Sequence, residues 1–415
     1  MPNAVLTAKN APGVTSKLVA AYIREKCPFF RTITKEPEAA WGEQYSSANP
    51  GDTIYVRKPF RPLVGSTLDI TSGIQDLKEE KVALTLDTLR TVGVAMTSLE
   101  AFYDRPIEFW AKDFVEPTVA SMADSVEQFA LNKAILATAN IVGTAGTQPG
   151  AISGFGQARQ YLDENGCPVS SDRFGIINPA TNTATVDARK GLFQKSDLIA
   201  EQYVKGYLGE GEGFSYMQSA VLPNLTAGTN AANQTVQTAP AEGASTLTIS
   251  GTTGQTITAG TVIYFAGCYE VHPLTKQSYN RLKPFVVTTT VTAASSLYSL
   301  TVSPAFYSSA SGGLQNISAL PVGSGTTAVT FWQGTPTASA IYQNNIMFHP
   351  DAFRGVTAKL PIPGGVEFAS ATSYEGINVR TVRQYDIRTS QHIMRFDILA
   401  GLAAVRPEWA CRYAG

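Results

Sequence analysis

The sequence is short of charge, of histidine and of cysteine, and each shortage excludes something. Asp, Glu, Lys and Arg make up 16% of the 415 residues, against roughly 25% in an ordinary soluble domain. A charge-poor surface suits a chain that buries much of its exterior against neighbours. A secreted β-protein has the same composition, so this property alone leaves both open. The formal net charge is −1, so the strongly basic face of a protein that coats nucleic acid is missing. The three histidines, His272, His349 and His392, lie far apart. Only Cys268 and Glu270 sit near His272, which is too few ligands for a metal site, and none is expected. The four cysteines, Cys27, Cys167, Cys268 and Cys411, form no CxxC pair and read as isolated reduced thiols of a cytosolic product.

Other absences narrow the chemistry. No GxSxG elbow announces a hydrolase nucleophile. The GEGEG stretch at Gly209–Gly213 follows a predicted helix, lacks the Lys-Ser/Thr ending and carries two glutamates, so it reads as a loop and not as a phosphate cradle. The pairs Glu79-Glu80 and Asp163-Glu164 read as solvated charge. Neither a catalytic residue nor a cofactor is expected, and the chain does not read as an enzyme. No run approaches the ~20 apolar residues of a membrane span, and the start lacks the basic-then-apolar pattern of a signal peptide.

What is present falls into blocks of different composition. In residues 1–43, Leu18, Val19, Tyr22 and Ile23 share one side of a short helix; the segment reads equally as an arm or as the first helix of a core. Thr53–Lys58 reads as a strand ended by Pro59 and Pro62. Val82, Leu84 and Leu86 alternate with polar or small residues, as do Val92, Val94 and Met96, with period 2. The phase inverts at Thr88–Arg90, which predicts a twist or paired bulges. Residues 44–90 thus form an oversized hairpin with too little apolar content at its tip to pack alone.

The best helical signal follows. Ile107, Trp110, Phe114, Val119, Met122, Val126 and Phe129 form one apolar stripe, with Asp124 and Gln128 off it. Pro117 either kinks this helix or starts it. From Pro117 to Ala137 it would rise ~30 Å. Residues 139–222 read as mixed α/β: a helix at Gly154–Asn165, a buried strand at Phe174–Asn178 halted by Pro179, a small element at Thr185–Gly191 and a helix at Lys195–Tyr207.

Then charge nearly vanishes. Between Leu225 and Tyr269 only Glu242 is charged, and Phe285–Pro350 holds no Asp, Glu, Lys or Arg. Short β-type runs at Thr246–Ile249, Thr256–Thr258, Thr261–Phe265, Phe285–Val291, Leu297–Val302 and Ala328–Trp332 predict a small all-β barrel. Inside it, Glu270, His272, Lys276, Arg281 and Lys283 cluster within Cys268–Pro284. They read as a contact with a neighbouring subunit or as a solvated hairpin tip. Beyond residue 343 mixed character returns, with Phe348–Phe353 and Tyr374–Val379 flanking a proline-rich loop, so the β-module reads as an insertion into a mixed domain.

Three stretches carry a family resemblance: RFDILAGLAAVRPEWACRYAG (Arg395–Gly415), FHPDAF (Phe348–Phe353) and TLTISGTTGQTITAGTVIYFAG (Thr246–Gly267). With the order of parts, they resemble tailed-bacteriophage major capsid proteins of HK97-type fold, and within these the P22-like coat proteins with an inserted β-barrel. The resemblance implies an α+β capsid fold: an N-terminal arm (1–43), an extended hairpin (44–90), a peripheral domain with a spine helix (91–138), an axial domain (139–223 and 343–380), an inserted barrel (224–342) and a peripheral return (381–415). It implies a virion subunit assembled in the host cytoplasm into pentamers and hexamers of an icosahedral head. The implied partners are other copies, a scaffolding protein, a portal protein, a decoration protein and double-stranded DNA bound without sequence specificity; no membrane is implied. Arg57, Lys58, Arg61, Glu270, Lys276, Arg281 and Lys283 are the candidate inter-subunit contacts. A tail component or surface-layer subunit is the alternative.

Overall fold

The computed structural model describes residues 12–35, 53–58, 80–97, 116–169, 172–189, 208–309, 314–334, 336–374 and 376–415. The chain divides into two units. One comprises Met1–Val56, Val82–Leu131 and Phe353–Ala403; the other comprises Arg57–Lys81, Asn132–Ala352 and Ala404–Gly415.

The first unit is built on a six-stranded sheet. Its order is Thr34–Lys35, Phe353–Ala358, Gln391–Ala404, Ile377–Asp386, Phe368–Tyr374, with Thr88–Thr97 also paired to Gln391–Ala404. Met394, Phe396 and Ile398 lie in this central strand, where Phe396 and Ile398 are buried, as is Asp397 between them. Thr88–Thr97 runs antiparallel to it from Gln391↔Thr97 to Ala400↔Thr88. The phase inversion expected at Thr88–Arg90 is therefore a strand break: Glu80–Thr85 pairs with Thr53–Lys58, while Thr88–Thr97 joins the main sheet. Leu84 and Leu86 are fully buried with Val356, Leu399 and Ala403. Gly401 permits this approach, because a Cβ there would stand 2.4 Å from the Thr85 carbonyl oxygen. The predicted segment Tyr374–Val379 is split by a turn at Gly376, whose φ of +79° suits glycine.

Two helices lie within this unit and a third begins in it. Helix α1 (Pro12–Lys26) packs on the strands Phe368–Tyr374 and Ile377–Asp386. It buries Val19, Ala20 and Ile23 but leaves Tyr22 38% exposed, so the segment is a packed helix whose stripe is narrower than expected. The short α2 (Pro28–Thr32) buries Phe29 and Phe30, and Phe29 meets the Phe353 ring edge-on at 5.6 Å. Helix α3 runs Glu116–Ala137; the residues before it, on which the choice between a kink and a start at Pro117 depends, lie outside the described residues. Val119, Met122 and Val126 are buried as expected; Ile107, Trp110 and Phe114 lie outside the described residues.

The second unit contains another six-stranded sheet, in the order Ile141–Val142, Ala410–Ala414, Asn344–Phe348, Phe174–Ile177, Phe214–Gln218, Glu210–Gly211. Helix α4 (Ile152–Glu164) packs on it through Phe155, edge-on to Tyr216 at 5.2 Å and to Tyr413 at 5.0 Å. Helix α5 (Pro179–Ala188) begins where the sequence reading saw only a stop. Asn178 accepts the Ala180 amide at 2.9 Å as an N-cap, and Pro179 is a first-turn residue needing no amide hydrogen. The predicted helix at Lys195–Tyr207 lies outside the described residues.

The charge-poor segment supplies a closed barrel: Gln234–Thr238, Thr246–Ser250, Leu297–Ser303, Ser278–Val287, Val262–Val271 and Ala328–Phe331. Tyr298, Leu300 and Val302 point inward along one strand while their neighbours are more exposed, as period 2 demands. Phe285 stacks on Phe306 at 4.5 Å and meets Phe265 edge-on at 5.4 Å. Each such ring contributes roughly 1.5–3 kcal/mol by leaving water. The expected strand Phe285–Val291 stops at Val287; Val291–Thr292 instead pairs with Thr256–Ile257.

Candidate functional site

The charged residues picked out by sequence assemble where the barrel meets α4, inside the second unit. Two adjacent antiparallel strands position them. Glu270 comes from Val262–Val271, and Arg281 and Lys283 from Ser278–Val287, around the Tyr269↔Leu282 pair. Lys283 Nζ lies 2.6 Å from Glu270 Oε1, and the Arg281 guanidinium binds Glu270 Oε2. Glu270 is 1% exposed and Lys283 5%. Burial pushes the Glu270 carboxyl upward, but Lys283 and Arg281 outweigh it and hold the group below its ordinary value.

Arg281 also reaches out of the barrel. Its guanidinium lies 2.6 Å from Glu164 Oε2 and 3.9 Å above the Tyr161 ring. Tyr279 donates its hydroxyl to the Glu164 carbonyl at 2.9 Å. The C-terminal end of α4 is thus clasped by a carboxylate pair, a cation–π stack and a hydrogen bond. Glu164 is therefore not solvated charge, as its sequence suggested. Asp163 is likewise paired, 2.7 Å from the buried Arg173.

Two further ties join barrel and sheet. Arg412, fully buried, donates to the Gly260 carbonyl at 2.9 Å, and burial lowers its pKa to about 10. Trp332 Nε1 donates to the Gly143 carbonyl at 3.0 Å. Val262 of the barrel shares a core with Ile141 and Ala414, and Tyr264 and Trp332 pack against it.

The remaining candidates are placed elsewhere. Lys276, at φ +58°, stands in the turn between the two strands and donates to the Gln315 carbonyl at 3.3 Å. His272 Nδ1 accepts the Leu274 and Thr275 amides and shapes that same turn. Arg57, exposed, and Lys58, half-buried, close the strand Thr53–Lys58; Arg61 lies outside the described residues. Glu212 of the GEGEG loop pairs with Arg189 at 2.6 Å. Among the described residues no group of three or more His, Cys, Asp or Glu could hold a metal, and no helix is long and apolar enough to cross a membrane.

One carboxylate escaped the sequence reading altogether. Glu127 on α3 is 1% exposed. Its Oε1 accepts the Phe29 amide at 2.7 Å and its Oε2 the Phe30 amide at 3.1 Å. Its signal was its spacing: it lies four residues after Ala123 and three before Ala130, both buried.

The chain belongs to the P22 coat protein family (gene protein 5), whose pattern it matches over residues 19–412. It is a coat protein, a subunit of a phage shell with an α+β capsid fold. Among curated proteins none matches. Solved structures similar to it include one from Mycobacterium phage Che8 (10% identity, 93% of this chain and 90% of that one, TM-score 0.44). Others are the mature capsid of bacteriophage PhiM1 (13%, 93% and 86%, 0.41) and the CUS-3 coat protein I-domain (18%, 25% and 96%, 0.19).

Proposed function

We propose that copies of this chain join as pentamers and hexamers into the icosahedral head of a tailed phage, closed around double-stranded DNA that it contacts without sequence specificity. Assembly takes place in the host cytoplasm on a scaffolding protein, with a portal protein and a decoration protein as further partners. The role is structural rather than enzymatic. The observation that carries this reading is the family match, which spans nearly the whole chain.

Within this reading the parts take separate tasks. Residues 44–90 overlap a neighbouring subunit, with Arg57, Lys58 and Arg61 at that contact. The peripheral domain, expected at 91–138 and 381–415, takes Val82–Leu131 with Phe353–Ala403; the axial domain, expected at 139–223 and 343–380, takes Asn132–Ala352 with Ala404–Gly415, apart from the barrel inserted at 224–342. Residues 1–43 form the arm. Lys276 remains a candidate contact on the barrel's turn. For Glu270, Arg281 and Lys283, the pairing of their polar atoms with one another and with α4 supports a role within the subunit.

Expression of the full chain, alone and with a scaffolding partner, tests the reading by electron microscopy. Closed shells are expected in at least one condition. Only tubes, sheets or stable monomers in both would contradict it.

A further inference from the structure

Polar groups tie residues 27–30 to α3. Glu127 takes both amides at the start of α2, and Cys27 Sγ donates to the Ala123 carbonyl at 3.3 Å. Burial of Phe29 and Phe30 and the pairing of Thr34–Lys35 with the start of the Phe353–Ala358 strand add to this. Among the described residues no cation contributes to the electrostatics of the Glu127 carboxyl. The charged and titratable groups around it are Asp124 on its own helix, the Cys27 thiol, Lys35 over the Phe30 ring, the exposed Arg31, and Arg354 in register with Thr34. A carboxylate enclosed this way keeps two hydrogen bonds but has lost its water without gaining a counter-ion.

We propose that Glu127 is a proton-operated latch: neutral, it holds residues 27–35 firmly on α3; charged, it loosens them. Protonation of Oε2, the oxygen with the longer contact, weakens the Phe30 bond but leaves the short Phe29 bond to Oε1 intact and removes the buried charge. Burial is the largest influence on this group and raises its pKa from 4.5 to about 7; the two amide bonds lower it and Asp124 raises it further. The sign follows from linkage. Docked Glu127 binds its proton more tightly than undocked Glu127. Docking is therefore firmest below about pH 4.5 and weakens as pH rises through about 7.

Amide hydrogen exchange on the full chain tests this, with rates corrected for the intrinsic pH dependence. Between pH 5.5 and pH 8, protection of residues 27–33 should fall roughly thirtyfold, while that of α4 stays level. Glu127→Gln should make protection pH-independent. Asp124→Asn, a change at an exposed position, should leave the fall in place but move its midpoint lower. The latch is overturned if wild-type protection does not change with pH, if Glu127→Gln retains the same fall, or if Asp124→Asn leaves the midpoint where it was.

Discussion

Glu127 in the first unit and Glu270 in the second are buried to the same degree, each 1% exposed, and the chain uses them in opposite ways. Glu270 faces Lys283 and Arg281 and is held ionised. Glu127 faces two backbone amides and, among the described residues, no cation, and its pKa rises to about 7. Burial acts on both in the same direction; the partner decides the outcome. The barrel carboxylate is a fixed brace, whereas the α3 carboxylate stands where a proton can come and go.

The largest test of this contrast removes the brace. Lys283→Met leaves Glu270 with only the Arg281 cation and should cost about 3 kcal/mol, the low end of the penalty for breaking a buried ion pair; denaturant unfolding of the full chain would measure it. Combining Glu270→Leu with Lys283→Met should recover much of that loss, since a well-packed apolar pair replaces a buried ion pair at little net cost. Glu127→Ala should cost less, about 1–3 kcal/mol for two unsatisfied amides, seen as lost protection at residues 27–33. Arg281→Lys keeps a charge but forfeits the planar stack on Tyr161 and the forked contacts, and should cost about 1–2 kcal/mol.

The pH response separates the two carboxylates. Glu270, with its pKa lowered, contributes stability above the ordinary carboxylate range, and that stability is lost as pH falls through its folded value. Glu127, with its pKa raised, contributes most below about 4.5 and loses its contribution as pH rises through about 7. Acid should therefore weaken the barrel while firming residues 27–35. Barrel fluorescence from Trp332 and exchange at residues 27–33, followed over one pH series, would read both.

The barrel was legible because its code is local. Short runs such as Thr246–Ile249 and Leu297–Val302 alternate and end at turns, and both are strands. Helix α3 was legible from Pro117 onward for the same reason. Long-range pairing was not. Nothing near Val92 and Val94 says that their strand pairs with Gln391–Ala404. Helix α5 was hidden because Thr181, Thr183 and Thr185 are weak helix formers, so Asn178-Pro179 read as a stop rather than as a cap and first residue. The charged cluster of the candidate site was found, but its partners were not. Glu164 and Tyr161 lie more than a hundred residues before Arg281 in the sequence, and only the fold brings them together. Glu127 was masked by its type, since a carboxylate on an apolar helix side is expected to face water.

A cryo-electron microscopy reconstruction of particles formed by the full chain tests the central claim most directly, that this is a shell subunit whose barrel charges act within the chain. The account predicts a closed icosahedral shell in which Glu270 faces Lys283 and Arg281 of its own subunit and Arg281 reaches Glu164. Open tubes or sheets, or a Glu270 paired with a neighbouring subunit instead, would contradict it.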